Sequence, residues 1–260
     1  MRKIFIMLCI ALVLCQSVSA HLPGAAAAPE FELESIIVSE DGRHIEITID
    51  DLAAYHGELQ GEDPDISPAV AMVYRAVSSG ILELWGDEIP ERSDIGLKTT
   101  WISFCGIHSS WFITGTGPDM DPGYKGKAEF IGTDGKPLTN MTNQNVRKHA
   151  QAMKAEDMWF EITQLSTKRS VVRTISDDLN PAGFIELRHL AKVVENPKPE
   201  DIIAFASEYT VFRDALLEKP DFEIFNEVEE PKQSILAGGI VLALICGLGI
   251  GMIIMRRKKE

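Results

Sequence analysis

Apolar residues recur along this chain with two periods, and the switches between them mark out its elements. Ile45, Ile47 and Ile49 alternate with polar neighbours, the pattern of a strand with one buried face. Strands are predicted over Phe31–Val38 and Arg43–Ile49, joined at Glu40-Asp41-Gly42. Asp50 stands where it would cap a short helix reaching Tyr55. Val70, Val73, Tyr74, Val77, Ile81 and Leu84 then repeat at helical spacing, behind Ser67 as N-cap and Pro68 at the first helical position. This predicts a helix ending near Trp85-Gly86. Leu97–Phe104 reads as a strand running into Cys105, Gly106–Ile113 as the start of a helix, and Thr114–Lys127 as a glycine-rich loop. Lys127–Ile131 is strand-like, with a turn at Asp134-Gly135, and Gln144–Glu156 is helical. Met158–Leu165 and Arg169–Ile175 read as a hairpin. Pro181 opens a helix that ends before Asn196-Pro197. Pro199 opens another, with Ile202, Ile203, Ala206, Tyr209, Phe212 and Leu216 on one face. The mixed order of strands and helices, without an internal repeat, predicts one α+β domain.

The two ends have a different character. Arg2 and Lys3 precede an apolar run, Ile4–Leu14, too short to span a bilayer, and Val18-Ser19-Ala20 supplies small residues for cleavage. Residues 1–20 therefore read as a secretory signal peptide. Ile235–Met255 is 21 residues without charge or proline, enough helix to cross the roughly 30 Å hydrocarbon core. Arg256, Arg257, Lys258 and Lys259 follow it, which places the tail in the cytoplasm and the domain outside. The expected organisation is a signal peptide (1–20), a flexible leader (21–30), an extracytoplasmic domain (31–225), a stalk (226–234), a single-pass transmembrane helix (235–255) and a basic tail (256–260). Gly239, Ala243, Gly247 and Gly251 fall four apart. That small-residue face suits close approach of a second copy, so a homodimer within the membrane is an expected partner.

Charge and cysteine usage narrow the chemistry. Of 25 basic and 39 acidic residues, the flanking segments hold six and one, leaving 19 against 38 and a net of −19 in the region between. Such a surface repels phosphate backbones and argues against nucleic acid as a partner. Cys9 and Cys15 fall in the signal peptide and Cys246 in the anchor, so Cys105 is the domain's one cysteine. An internal disulfide is excluded, and the thiol is inert, a metal ligand or reactive. No G-x-S-x-G, H-E-x-x-H, Walker or EF-hand pattern occurs. Asn140-Met141-Thr142 is a glycosylation sequon, and Asp119 and Asp121 in the glycine-rich loop read as a solvated turn.

Six histidines complete the inventory. His44, His149 and His189 read as solvated surface residues, and His21 lies at the mature N-terminus. His108 differs, three residues beyond Cys105 where an apolar strand meets a helix. A helix start there would favour thiolate, and thiolate with imidazole suits zinc or a similar transition metal, with His56 as a third ligand. Alternatively, Cys105 is a nucleophile with His108 as its base.

Two stretches, Tyr55–Ala76 and Cys105–Gly117, resemble the formylmethanofuran dehydrogenase E-subunit family. That family carries H-G-H-x-C-P-G before a helix with Y-R-A; here His56-Gly57 and Tyr74-Arg75-Ala76 match. A second family motif runs from a cysteine to T-G-C-T, matched by Cys105 and Thr114-Gly115-Thr116 at the same spacing. Glu58 replaces the family's second histidine, His108 its aspartate and Thr116 its second cysteine. Gln60 stands near its first cysteine, or Ser67 does if Gly61–Ile66 is an insertion. The C-terminal zinc ribbon is absent. The resemblance implies an α+β domain with a metal site of His56, Cys105 and His108, joined by Glu58. The expected role is an accessory metal- or ligand-binding protein without independent catalysis. The alternatives are a surface binding module whose metal site is lost, and a thiol enzyme.

Overall fold

The computed structural model describes residues 25–118 and 126–226. The expected signal peptide, His21, Asp119, Asp121, the transmembrane helix and the basic tail lie outside the described residues. No described helix is long and apolar enough to cross a membrane.

The chain opens with a hairpin, β1 (Ile36–Glu40) and β2 (Arg43–Ile47), in antiparallel register with Ile36 opposite Ile47. Its turn residues Asp41 and Gly42 both have positive φ, as a tight hairpin turn demands. Helix α1 (Ile49–Gln60) follows. Thr48, not Asp50, is its cap. The Thr48 hydroxyl accepts from Asp51 N, and the Asp51 carboxylate accepts from Thr48 N at 2.8 Å. This reciprocal box fixes the helix start, and the helix runs five residues past the expected end at Tyr55. Helix α2 (Pro68–Trp85) matches its predicted span, with Ser67 Oγ accepting from Val70 N and Gly86 closing it.

A five-stranded sheet has the order β4 (Lys127–Phe130), β3 (Ile95–Thr99), β5 (Trp159–Gln164), β6 (Arg169–Ile175), β7 (Phe225–Asn226). Only β3 and β4 run parallel among these pairs. Asn226, expected in the stalk, is instead paired with Thr174. The strand expected over Leu97–Phe104 stops at Thr99. There the Thr99 hydroxyl donates to Trp159 O at 2.7 Å and accepts from Trp101 N, turning the chain out of the ladder. Helix α3 (Phe104–Thr114) then begins earlier than expected, because Ser103 caps it through Gly106 N. The remaining helices are α4 (Asn143–Ala152), α5 (Pro181–Lys192), α6 (Pro199–Glu218) and the short α7 (Asp221–Ile224). Helices beside two sheets of mostly antiparallel strands make the fold α+β.

Helix α2 is the hub. Every residue from Ala69 to Val77 is buried, so the first half of this helix is enclosed all round rather than on one stripe. It packs on β5, β6, α3 and α6. Two residues of the Tyr-Arg-Ala match tie it to its surroundings. The Tyr74 hydroxyl donates to Glu34 O at 2.8 Å and to Ile47 O. The Arg75 guanidinium donates to Leu216 O and Lys219 O at the end of α6 and pairs with Asp221. On α6 the buried face holds Phe205, Tyr209, Phe212 and Leu216, whereas Ile203 is 69% exposed and lies off it.

Candidate functional site

Helices α1 and α3 pack against each other, and the candidate residues meet at that contact. His56 sits in the last turns of α1 and is buried. Gly57 beside it has a steric task. A Cβ there would lie 2.7 Å from Glu62 O and 3.2 Å from Pro64 N. The 61–66 loop therefore folds directly onto the helix end, with Glu62 N donating to Gly57 O at 2.9 Å. Cys105 lies in the first turn of α3. Gly106 follows it because a Cβ there would meet the Trp101 ring at 2.6 Å. His108, one turn on, is buried, with its ring stacked on Trp111 at 5.5 Å between centroids.

His56 bridges the other two. Its Nε2 lies 3.3 Å from Cys105 Sγ, and its Nδ1 lies 2.9 Å from His108 Nδ1. The structure thus brings together all three residues named from the sequence, but as a line with His56 at the centre. The base facing the sulfur is His56 on α1, not His108 on the same helix as the thiol. The ring contacts allow more than one proton arrangement, and in the one that leaves a nitrogen free to take the thiol proton all three groups are neutral. The thiol donates to His56 Nε2, His56 Nδ1–H donates to His108 Nδ1, and His108 keeps its own proton on Nε2. That ordering holds His56 in the tautomer whose free nitrogen faces sulfur, the task of the third member of a catalytic triad.

The thiol is half-buried, and burial pushes its pKa up. The Ser67 hydroxyl and the Lys192 ammonium pull it back down without reversing the shift, and Asp65 adds to the rise. The expectation of a resting thiolate at a helix start is corrected here, since lost hydration outweighs the favourable contacts. Ser67 is thus a partner of the sulfur as well as the cap of α2. Thr114-Gly115-Thr116 closes α3. Gly115 is left-handed, and the Thr114 hydroxyl donates to Ser110 O at 2.7 Å.

A zinc site draws on at least three protein ligands. Cys105 and His56 line a cleft, but His108 is turned toward His56 Nδ1, and Glu58 is exposed and outside the lining. Among the described residues no group of three or more His, Cys, Asp and Glu is placed to hold a metal ion. The arrangement therefore does not fit a resident transition metal on the expected ligand set.

The cleft has a volume of about 280 Å³ and is lined by His56, Ser67 and Cys105 together with Arg147, Arg188 and Lys192. Those three cations come from α4 and α5, and sequence reasoning missed them. The available signal was the four-residue spacing of Arg188 and Lys192, which stacks them on one helix face. A second opening, about 480 Å³, lies beside Lys98 and Trp159 and has no cysteine or histidine in its lining. Of the other histidines, His44 and His189 are exposed as expected. His149 is not. It is buried, and its Nδ1 accepts from Thr133 N at 3.1 Å, which anchors the 131–137 turn to α4.

Comparison with family models, with curated proteins and with solved structures finds no match for this chain.

Proposed function

We propose that this chain is a membrane-anchored, extracytoplasmic relative of the formylmethanofuran dehydrogenase E-subunit family whose cleft performs thiol chemistry on a small bound molecule. The observation that supports this reading is the unbroken line Cys105–His56–His108 opening onto the cleft. Cys105 is the nucleophile, His56 its general base, and His108 the group that orients His56. With no second cysteine in the domain, disulfide exchange has no internal partner. Acyl transfer needs only what the site provides and water. In attack, Sγ bonds to the acyl carbon and its proton passes to His56 Nε2. The leaving group departs with that proton as its bond to carbon breaks. Water then cleaves the thioester, giving one proton to His56, which returns it to sulfur. Gly106 N is held by Ser103 Oγ and Ile107 N by Ser103 O, so in this scheme Phe104 N and Cys105 N are the α3 donors assigned to the developing oxyanion charge. The raised thiol pKa suits this scheme. Sulfur rests neutral and ionises only as the base removes its proton, so His56 is essential rather than auxiliary.

The test is alkylation of Cys105 by iodoacetamide in the full chain, followed on the Cys105 peptide by mass spectrometry across pH. His56→Gln should slow the reaction at pH 7 about tenfold or more, and His108→Leu should shift its pH profile, since general-base assistance contributes roughly 10²-fold or more. Identical profiles for the three proteins would remove the thiol reading. Zinc at one equivalent in the same preparation, lost on Cys105→Ser, would favour the metal reading instead.

A further inference from the structure

We infer that the cleft selects ligands by an anionic head, a carboxylate or a phosphate, held by Arg188 and Lys192 beside the Cys105 thiol. This deepens the proposed function and rests on reading the cleft as its ligand site. The chain carries a net charge of −14, yet the lining of this cleft holds Arg147, Arg188 and Lys192 against one acid, Glu62. Concentrating cations where the rest of the molecule is acidic makes the cleft an attractive well in a repulsive surface, and concave walls focus that field.

The two cations on α5 are positioned rather than merely present. Arg188 Nη1 donates to Ala150 O on α4 at 2.7 Å, which fixes the guanidinium beside the cleft. The Lys192 ammonium lies 5.5 Å from the centre of the Phe205 ring. Standing four apart on one helix face, these like charges repel, at a cost to the helix when nothing lies between them. Among the described residues neither forms an ion pair with a carboxylate within 4 Å. Protein packed around them lowers the pKa of both, and Arg188 lowers that of Lys192 further. An anion between them would relieve that repulsion. Both lie close enough to Cys105 to interact with its thiolate form, so an anion held there lies within reach of the thiol. Phe184 and Phe205 line the same space and give the rest of the ligand an apolar bed. At about 280 Å³ the cleft is at the small end of ligand pockets, which fits a small metabolite-sized anion rather than a polymer.

A pair of alkylating reagents reads this directly. Iodoacetate and iodoacetamide differ in charge and share a reacting carbon. In the full chain in nonionic detergent at low salt, the iodoacetate-to-iodoacetamide rate ratio at Cys105 should exceed that of free cysteine about tenfold. Arg188→Gln and Lys192→Gln should each lower the ratio at least about threefold. Because Arg188 also braces α4, Lys192→Gln, at an exposed position, keeps the test valid if Arg188→Gln folds poorly. Inorganic phosphate and succinate should protect Cys105 from iodoacetamide, and the better protector tells phosphate from carboxylate. A ratio equal to that of free cysteine, or one that Lys192→Gln leaves unchanged, overturns the inference. Calorimetric binding of phosphate or succinate to Cys105→Ser separates the two readings. Binding that persists there supports the anion site even if the thiol proves unreactive, and absent binding of both anions counts against it.

Discussion

Gly57→Ala tests whether the site is held by the backbone contact that surrounds it. Alanine at an open helical position gains about 1 kcal/mol over glycine, so propensity alone predicts a more stable protein. The structure predicts the opposite sign. The new Cβ would lie 2.7 Å from Glu62 O, 3.2 Å from Pro64 N and 3.3 Å from Asp63 C, all backbone atoms of the loop folded onto α1. No side-chain rotation relieves contacts of that kind, so the loop or the helix end must move. Overpacking of this sort costs about 1–3 kcal/mol, and backbone clashes at three atoms place this case at the upper end. Set against the propensity gain, the net loss is about 2 kcal/mol. For a chain of this size that lowers Tm by roughly 4–8 °C. Near-ultraviolet circular dichroism of the full chain during heating measures it, with Glu58→Ala, an exposed change on the same helix, as the neutral control. The displacement should also alter iodoacetamide reactivity at Cys105, because His56 precedes the strained residue and Ser67 follows the displaced loop. A Tm that rises, or that stays with the control, would refute the claim that the loop clamps the helix end.

Two further outcomes follow from the same geometry. Arg75→Leu strands the Leu216 and Lys219 carbonyls that the guanidinium now satisfies. It should cost about 3 kcal/mol in denaturant unfolding, with little from the Asp221 pair, whose carboxylate is 40% exposed and screened. Burial raises the Cys105 pKa above its unfolded value, so the thiol's contribution to stability is complete below about pH 8.5 and is lost as pH rises through the folded-state pKa. The unfolding free energy of the wild type should therefore fall relative to Cys105→Ser above that pH. A constant difference would show that the thiol is not desolvated.

What could be read in advance follows from how local each signal is. The α2 helix was legible at both ends because Ser67, Pro68 and Gly86 act within a few residues of themselves. The strand at Leu97 was overrun because Trp101, Ile102 and Phe104 continue an apolar run. The break depends on hydrogen bonds of the Thr99 hydroxyl, one of them to Trp159 sixty residues away. His149 was misread because Arg147, Lys148 and Gln151 give its helix a polar character. Its burial depends on Thr133 and the turn it anchors. The pairing of His56 with Cys105 was proposed from metal-ligand chemistry and from the spacing of two family-like motifs. Spacing within α3 pointed instead to His108 as the partner of the sulfur. Of the cations of the cleft, only the shared face of Arg188 and Lys192 was signalled, by their four-residue spacing, since Arg147 and Arg188 converge only once α4 and α5 are folded.

The matched and the altered positions of the proposed relationship divide by physical task. Those that match act chiefly on the backbone. Gly57 admits a loop, Tyr74 and Arg75 satisfy carbonyls of distant segments, and Gly115 ends α3. Two that differ, Ser67 and His108, instead surround the chemistry. Against the sulfur stands a hydroxyl, and His56 is backed by an imidazole. A cysteine and an aspartate at these places would offer anionic donors suited to a cation. A hydroxyl and a neutral imidazole each give and accept protons and supply no fixed negative charge. Under the proposed relationship those two differences reduce the affinity for a metal ion, and the absence of two negative charges strengthens the cationic field of Arg188 and Lys192. Under that proposal His108→Asp adds a negative charge that should lower the iodoacetate-to-iodoacetamide rate ratio at Cys105, while the new carboxylate still accepts from His56 Nδ1–H and keeps the orienting role that His108 now has.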